Sequence, residues 1–195
     1  DVDELPEIVV EHPGPSTNGE PFMPYQRNER LARPWALPGT EGLMHRVGGL
    51  EKEDVTGNVS YDPDNNQHMT NVRARRVAQI ADDIPVQEVD GPQHGRLLVL
   101  SWGGTYGSCR SAVETLQEEG RKVSHVHIRW ISPLPKDLGE IIIGFKNVLV
   151  PEINLGQFLR LIRAEFLVDA QGLNQVRGRP ISVSTILETI KKTLD

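Results

Sequence analysis

The stretch RLLVLSWGGTYGSCRSAVETLQEEG, residues 96–120, decides the fold class of this chain. It opens with the apolar run Arg96–Trp102, which is typical of a buried strand, and continues with the glycine-rich turn Gly103–Gly107. Apolar residues then recur at helical spacing, which predicts a helix over Ser108–Gly120. A strand, a tight turn and a helix in this order form the first half of a parallel βαβ unit.

The same alternation of strand and helix patterns continues to the end of the chain. The further predicted elements are strand Lys122–Trp130, helix Pro135–Phe145, strand Asn147–Ile153, helix Gly156–Phe166, strand Leu173–Arg177 and helix Thr185–Leu194. A short strand, Pro85–Val89, is predicted ahead of them, and Thr185 with Glu188 has the spacing of a capping box. The pattern predicts a three-layer α/β/α domain around a mostly parallel sheet.

Residues 1–66 have a different character. They hold eight of the fourteen prolines and seven glycines, and they show no sustained period of 2 or 3.6. Their aromatic and apolar side chains nevertheless require a surface to pack on, which is either the chain's own domain or a partner that the chain lacks. A helix follows over 67–83, with Asn66 as its predicted N-cap. We therefore predict an extended linker or wrapping segment, 1–66, and an α/β domain, 67–195.

Composition limits the classes of function. The chain has 195 residues and a net charge of −6, which argues against binding to nucleic acid or to an anionic membrane surface. No apolar run has the length of a membrane span, and no signal peptide is visible. A cytoplasmic location is expected because a chain without a disulfide framework fits a reducing compartment. The single cysteine, Cys109, excludes an internal disulfide and cannot hold an iron–sulfur cluster. A chain that begins at Asp1 suggests a processed or partial protein.

The glycine-rich turn is the first candidate site. Its residues are Gly103, Gly104, Thr105, Tyr106, Gly107 and Ser108. The spacing matches neither the dinucleotide-binding fingerprint nor the Walker loop, so only backbone amides at a helix start and two hydroxyls remain to bind an anion. The alternative is a strand-to-helix turn that needs glycine for close backbone approach.

Other candidate groups are weaker. Cys109 lies in the first turn of the predicted helix, but no base is evident beside it. His125 and His127 share one strand face with Arg129, which favours structural or interface histidines over a metal site. The segment Asp62–Asn66 fails the calcium-loop pattern and is typical of a turn before a helix. The sequence predicts no catalytic residue, no cofactor-binding residue and no metal site on this chain.

Several longer motifs carry a resemblance to a known family. The most specific are HRVGGLEKEDVTGNVS at 45–60 and VLVPEINLGQ at 148–157, and the match also includes Pro21–Arg27, Ala32–Gly39, Trp102–Gly107, Ser124–Arg129, Pro133–Pro135, Leu167–Ala170 and Leu173–Gly178. With these motifs the chain resembles the C-terminal part of the alpha subunit of 2-oxoacid:ferredoxin oxidoreductases, in particular those of the 2-oxoglutarate type.

The resemblance implies a fold like the transketolase C-terminal domain. Its mixed five-stranded sheet has the strand order 1-3-2-4-5, with an antiparallel first strand that corresponds here to Pro85–Val89. This order places the turns Gly103–Gly107 and Glu152–Gly156 on either side of one crevice at a topological switch point. We therefore expect the following polar residues of the second turn to face another domain: Glu152, Asn154 and Gln157.

The resemblance also implies the activity of the whole enzyme. Such enzymes decarboxylate a 2-oxoacid oxidatively with coenzyme A, giving acyl-CoA, CO2 and reduced ferredoxin, and they use thiamine diphosphate, Mg²⁺ and iron–sulfur clusters. Those groups would lie on an upstream thiamine-binding domain and on the beta subunit. This chain is then a structural and assembly domain that binds no cofactor itself. The alternative is a stand-alone α/β module that binds a phosphorylated ligand such as coenzyme A at the 103–108 loop.

Overall fold

The computed structural model of the protein describes residues 19–194, and its contacts divide the chain into the units Asp1–Ile80 and Ala81–Asp195. Part of the predicted extension, residues 1–18, lies outside the described residues. In the first unit, an irregular chain leads into helix α1, Pro63–Ala78. The predicted division after residue 66 stays a prediction about domain organisation.

Helix α1 begins earlier than its apolar pattern predicted. Its N-cap is Asp62, whose side chain accepts a hydrogen bond from the Asp64 amide at 2.9 Å, and Pro63 occupies the first turn. The assignment of Asn66 as the cap was therefore wrong, because Asp62 supplies the acceptor and proline is favourable at the first helical position. The interpretation of Asp62–Asn66 as a turn that precedes the helix is corrected in the same way, because Pro63–Asn66 already form the first turn of α1.

The irregular part of the first unit is stabilised by polar contacts around two side chains. Lys52 is buried, and its Nζ atom donates to two backbone carbonyl oxygens at 3.1 and 2.6 Å. Asp54 is ion-paired with Arg27 and lies 2.7 Å from Nε2 of His68. Such contacts satisfy buried polar groups in a segment that has little regular secondary structure. The prolines and glycines of residues 19–62 thus belong to a defined conformation.

The second unit is an α/β domain. After a short 3-10 turn, Gln79–Asp83, its elements in chain order are β1 Gly95–Trp102, α2 Tyr106–Glu118, β2 Val123–Ile128, α3 Leu138–Ile143, β3 Phe145–Glu152, α4 Gln157–Phe166, β4 Gln171–Asn174 and α5 Val183–Leu194. The four strands are parallel and lie in the order β2-β1-β3-β4. The predicted class, order and three-layer arrangement are confirmed for these strands.

The core has two halves because successive strand residues face opposite sides of the sheet. Leu97 and Val99 of β1 pack with α2 and α5, whereas Leu98 and Leu100 pack with α3 and α4. The strand β1 is therefore apolar on both faces, as a central strand of a parallel sheet should be. None of the helices within residues 19–194 combines the length and the apolar composition that a membrane span requires.

Several further local predictions were wrong, among them the strand predicted over Leu173–Arg177, which is observed at Gln171–Asn174. The described residues contain four strands in the sheet rather than five, because Pro85–Val89 forms no strand and only Asp90 makes an antiparallel bridge, to His125 at the outer edge of β2. The helix predicted over Pro135–Phe145 ends at Ile143, since Phe145 already begins β3. Helix α5 begins before Thr185, whose amide donates to the hydroxyl of Ser182, so no capping box starts there.

Candidate functional site

In the glycine-rich turn at the end of β1, the hydroxyl group of Thr105 stabilises the turn itself. Gly103–Thr105 form a 3-10 turn, and Gly103 has a φ of +56°, which favours glycine. The buried Thr105 hydroxyl donates to the carbonyl of Trp102 at 2.8 Å and lies 3.3 Å from its amide. Thr105 therefore shapes the turn, and its hydroxyl is not directed at a ligand. Tyr106 and Gly107 are exposed and Ser108 is half-buried.

At the end of β3, the carboxylate of Glu152 is completely buried and accepts four hydrogen bonds. The donors are Nε1 of Trp102 at 3.1 Å and Nδ2 of Asn154, with the amides of Phe158 and Leu159, at 3.0 Å each. Two of the four orphan amides of α4 are thus satisfied by a negative charge at the positive end of the helix.

Asn154 completes the start of helix α4. Its Oδ1 atom accepts hydrogen bonds from the amides of Gly156 at 2.7 Å and Gln157 at 3.2 Å. Since Gly156 has a φ of +86° and carries no capping side chain, Glu152 and Asn154 together replace an ordinary N-cap. Gln157 is exposed. That this turn faces another domain stays a prediction. The hydrogen bonds of Glu152 all go to groups within its own domain.

The turns after β1 and β3 lie side by side, as the predicted strand order requires. A Cβ atom added to Gly104 would lie 3.8 Å from Cδ1 of Ile153. Large apolar side chains remain exposed here: Ile153 is 46% exposed, Leu155 72% and Val176, after β4, 63%. We call residues 103–108 with these three side chains the carboxyl-edge surface. Sequence reasoning selected the polar residues of this edge and missed the apolar ones, although Ile153 and Leu155 flank Asn154.

A second polar cluster lies at the end of β2. The buried hydroxyl of Ser101 is 2.7 Å from Nε2 of His125 and 2.8 Å from Nδ1 of His127. The ring of Tyr106 packs edge-on against His127, with 4.9 Å between the ring centroids. The prediction that His125 and His127 share a face is confirmed, and both line a cavity with Arg129. Ser101 was missed because nothing in the sequence distinguishes it from a core residue of β1.

Both imidazoles of this cluster are held neutral. Burial, followed by the proximity of His127 and Arg110, lowers the pKa of His125 to about 4. Burial also lowers the pKa of His127, and the charge of Arg129 adds to this effect. Two neutral imidazoles could in principle bind a metal, but the described residues 19–194 contain no group of three or more histidine, cysteine or acidic side chains that could hold one.

Cys109 has the environment of an inert core thiol. It is fully buried in the half of the core that α2 and α5 cover. Burial raises the pKa of this thiol to about 12, against weaker opposing hydrogen bonds from Thr105 and Ser101. A thiol with so high a pKa is not a nucleophile at neutral pH. The position in the first turn of α2 therefore does not activate Cys109.

Comparison with known proteins places these features in a family. Residues 96–186 match the family model of the pyruvate:ferredoxin oxidoreductase core domain II. Over 180 residues, 91% of this chain, the sequence is 41% identical to the 2-oxoglutarate oxidoreductase subunit KorA of Mycobacterium tuberculosis. The chain is a homologue of 2-oxoacid:ferredoxin oxidoreductase alpha subunits. It spans 27% of the length of that relative.

Two further members of the family agree with this assignment. The alpha subunit of 2-oxoacid:ferredoxin oxidoreductase 1 of Aeropyrum pernix is 28% identical over 87% of this chain, which spans 27% of that protein. A solved structure of 2-oxoglutarate:ferredoxin oxidoreductase from Magnetococcus marinus, with 2-oxoglutarate, coenzyme A and succinyl-CoA bound, superimposes with a TM-score of 0.84. That match covers 93% of this chain and 32% of the solved chain, at 28% identity. The resemblance seen in the sequence motifs is confirmed.

Proposed function

We propose that this chain is the C-terminal part of the alpha subunit of a cytoplasmic 2-oxoglutarate:ferredoxin oxidoreductase. The whole enzyme would convert a 2-oxoacid and coenzyme A to acyl-CoA and CO2 while reducing ferredoxin. The observation that carries this proposal is the 41% identity to a 2-oxoglutarate oxidoreductase subunit over 91% of the chain. The 2-oxoglutarate bound in the related solved enzyme supports the choice of this 2-oxoacid.

Within that enzyme the chain would assemble and shape the active-site cleft rather than perform the chemistry. Thiamine diphosphate with Mg²⁺ and the iron–sulfur cluster would supply carbanion and electron-transfer chemistry from an upstream domain and a beta subunit. The polar groups beside the crevice support this division. The hydrogen bonds of Glu152 and Asn154 go to Trp102 and to amides at the start of helix α4. The thiol of Cys109 is buried. A buried, fully bonded carboxylate orders its surroundings and is not free to exchange protons with a substrate.

The carboxyl-edge surface is the face that we assign to the rest of the subunit. Ile153, Leu155 and Val176 expose apolar area at a sheet edge, where open α/β sheets receive their ligands and neighbours. Gly107 adds a second indication. It lies exposed in the first turn of α2 without a positive φ, and an added Cβ would meet nothing within 4 Å. A helical glycine that its own domain does not require indicates close approach by another backbone.

Assembly of the native complex tests this assignment. The chain with Leu155→Asp, produced within the complete alpha subunit and with the beta subunit, should lose most of the assembled complex, because a charge would be desolvated at the interface. The matched control is Leu167→Asp, since Leu167 is 90% exposed and is the C-cap of α4, the helix that begins just after Leu155. Size-exclusion chromatography with mass detection gives the assembled fraction. Equal assembly of both variants would refute the proposed face.

A second candidate function remains from the exposed glycines of the 103–108 loop. A stand-alone α/β module could bind a phosphorylated ligand such as coenzyme A with the backbone amides at the start of α2. Calorimetric titration of this chain with coenzyme A distinguishes the two functions. Micromolar binding that Gly104→Val abolishes would favour the binding module. Absence of binding, together with normal assembly of the complex, would leave only the assembly role.

A further inference from the structure

A cavity of about 260 Å³ lies between the end of β2, the start of α2 and the segment 85–90. Its walls include the aromatic side chains of Tyr106 and Trp130, and its polar groups are His125, His127 and the charged residues described below. Of these groups only Tyr106 also belongs to the carboxyl-edge surface, and the proposed assembly role uses none of the others. All of them belong to the second unit, so the cavity is complete within one compact part of the chain.

The two histidines are coupled through one hydroxyl group. Ser101 has a single hydroxyl proton, so it donates to one imidazole and accepts an N–H from the other. If the Ser101 hydroxyl donates to Nδ1 of His127, the neutral ring carries its proton on Nε2, which is then a donor. If Nδ1 of His127 instead donates its proton to Ser101, Nε2 carries none and is an acceptor. The Nε2 atom of His127 has no hydrogen-bond partner within the described chain, and this residue lines the cavity. The cluster can therefore offer either a donor or an acceptor there.

Two charged side chains of the cavity are exposed and have no protein partner within the described chain. Among residues 19–194, neither Arg129 nor Glu88 forms a hydrogen bond or an ion pair, although both line the cavity. One carboxylate oxygen of Asp90, Oδ2, is buried without a hydrogen-bond partner. A buried acceptor of this kind costs free energy unless a donor reaches it. Arg110, by contrast, is occupied by Glu114 at 2.7 Å.

We propose that this cavity binds a small organic acid that also carries a hydroxyl or amino group. The guanidinium of Arg129 and Nε2 of His127 hold the carboxylate or phosphate group, and the exposed carboxylate of Glu88 accepts a hydrogen bond from the second group. Tyr106 and Trp130 enclose the carbon skeleton. A bare inorganic anion fits less well, because Glu88 and Asp90 would repel it without receiving a donor in return.

Binding should take up a proton. The groups that face His127 are Ser101, Tyr106 and the neutral imidazole of His125, together with the charged side chains Arg129, Arg110, Glu88 and Asp90. In the empty cavity, burial and then the charge of Arg129 keep the pKa of His127 low. A bound oxyanion offsets both effects for the protonated ring and raises that pKa. The affinity for the acid should therefore increase by about threefold or more between pH 7.5 and pH 6.

Two matched pairs of probes test the ligand class on the full chain by calorimetric titration. Malate and succinate are dicarboxylates that differ by one hydroxyl, and glycerol 3-phosphate and propyl phosphate differ in the same manner. The hydroxylated member of at least one pair should bind about tenfold more tightly, because its hydroxyl reaches a charged acceptor. The pair that discriminates identifies a carboxylate or a phosphate ligand. Absence of binding by all four probes, or equal affinity within both pairs, would overturn the proposal.

Variants then test the contacts. Arg129→Gln should weaken the better probe at least about tenfold, and Arg129→Lys should restore part of the affinity. Arg121→Gln, which alters an exposed arginine that does not line the cavity, should leave the affinity unchanged. Once the affinities are corrected for protonation of the probe itself, His127→Gln should remove their dependence on pH while the thermal unfolding midpoint confirms a folded domain. Equal affinities of Arg129→Gln and Arg121→Gln, or a pH dependence that survives His127→Gln, would contradict the assigned contacts.

Discussion

The ends of β3 and β2 carry two polar clusters with opposite properties. At the end of β3, the carboxylate of Glu152 is completely buried and has four donors around it. At the end of β2, the Ser101–His125–His127 cluster borders an open cavity in which Arg129 has no partner among the described residues. The first cluster is closed, whereas the second retains unused hydrogen-bonding capacity.

The difference indicates which polar residues serve the fold and which are available to a ligand. Buried polar groups are almost always satisfied, so a satisfied group such as Glu152 needs no external explanation. The half-buried ring of His127 has no protein partner at Nε2 among the described residues, and the exposed Arg129 is not committed to another side chain there, so both retain hydrogen-bonding capacity for a ligand. By this criterion the most buried polar residue of the carboxyl edge is structural, and the less conspicuous His127 and Arg129 are the better candidates for binding.

The largest predicted effect comes from opening the closed cluster. Glu152→Ala should lower the free energy of unfolding by at least about 3 kcal/mol, since three donors besides Asn154 lose their acceptor at about 1–3 kcal/mol each. The donors are Nε1 of Trp102 and the amides of Phe158 and Leu159. Urea unfolding monitored by circular dichroism measures the change.

A graded variant controls for the loss of packing in that experiment. Glu152→Gln keeps the shape and the oxygen that accepts from Trp102, Asn154 and Phe158, but it turns an amide group toward the Leu159 amide, which donates to Oε2. The expected loss is about 1–3 kcal/mol, from one unsatisfied donor. If both variants were as stable as the wild type, Glu152 would not be the capping group of α4, and the comparison would fail.

The next effect concerns pH and the open cluster. Because the pKa of His125 is about 4 in the folded chain and near its ordinary value of 6.5 in the unfolded chain, only the unfolded chain binds a proton between these values. Stability is complete above pH 6.5 and decreases as the pH falls toward 4. Between pH 7 and pH 5 the decrease from this residue is on the order of 2 kcal/mol.

Urea unfolding of the wild type and of His125→Gln at both pH values isolates this contribution. The variant should be less stable at pH 7, because the hydrogen bond to Ser101 is altered, but its stability should change less with pH. Parallel pH profiles for the two proteins would show that His125 does not enter the folded state as a neutral ring.

The smallest effect is expected at the residue that we assign to the ligand. Arg129→Gln should change the free energy of unfolding by less than about 0.5 kcal/mol, because an exposed side chain without partners contributes little to stability. A thermal or urea midpoint measured without ligand checks this. A loss of 2 kcal/mol would show that Arg129 is structural and that the cluster at β2 is closed after all.

The sequence predicts the sheet better than it predicts the sites. The continuous apolar runs of β1 and β3 and the period-3.6 pattern of α2 depend on neighbouring residues, and the family resemblance supplied the strand order that the structure confirms for the four observed strands. The site contacts join distant residues: Trp102 meets Glu152 and Ser101 meets His125. No local pattern contains such pairs, so Glu152 was assigned to an interface and Ser101 was not considered.

The fifth strand shows the same limit. Pro85–Val89 is a short strand candidate, and the family order places it beside β2. In the structure only Asp90 pairs there, and the amide of Gln87 bonds instead to the side chain of Asp137. This side-chain contact occupies a donor that a strand would use, and it leaves room for the cavity.

Hydrogen exchange of this chain, alone and within the assembled enzyme, tests the central claim most directly. If the chain is an assembly domain that meets the rest of its subunit at the carboxyl-edge surface, amides of residues 103–108 and 153–155 should gain protection on assembly. The core amides of β1 should remain unchanged, since they are already buried. Protection elsewhere, with none at these two turns, would contradict the account.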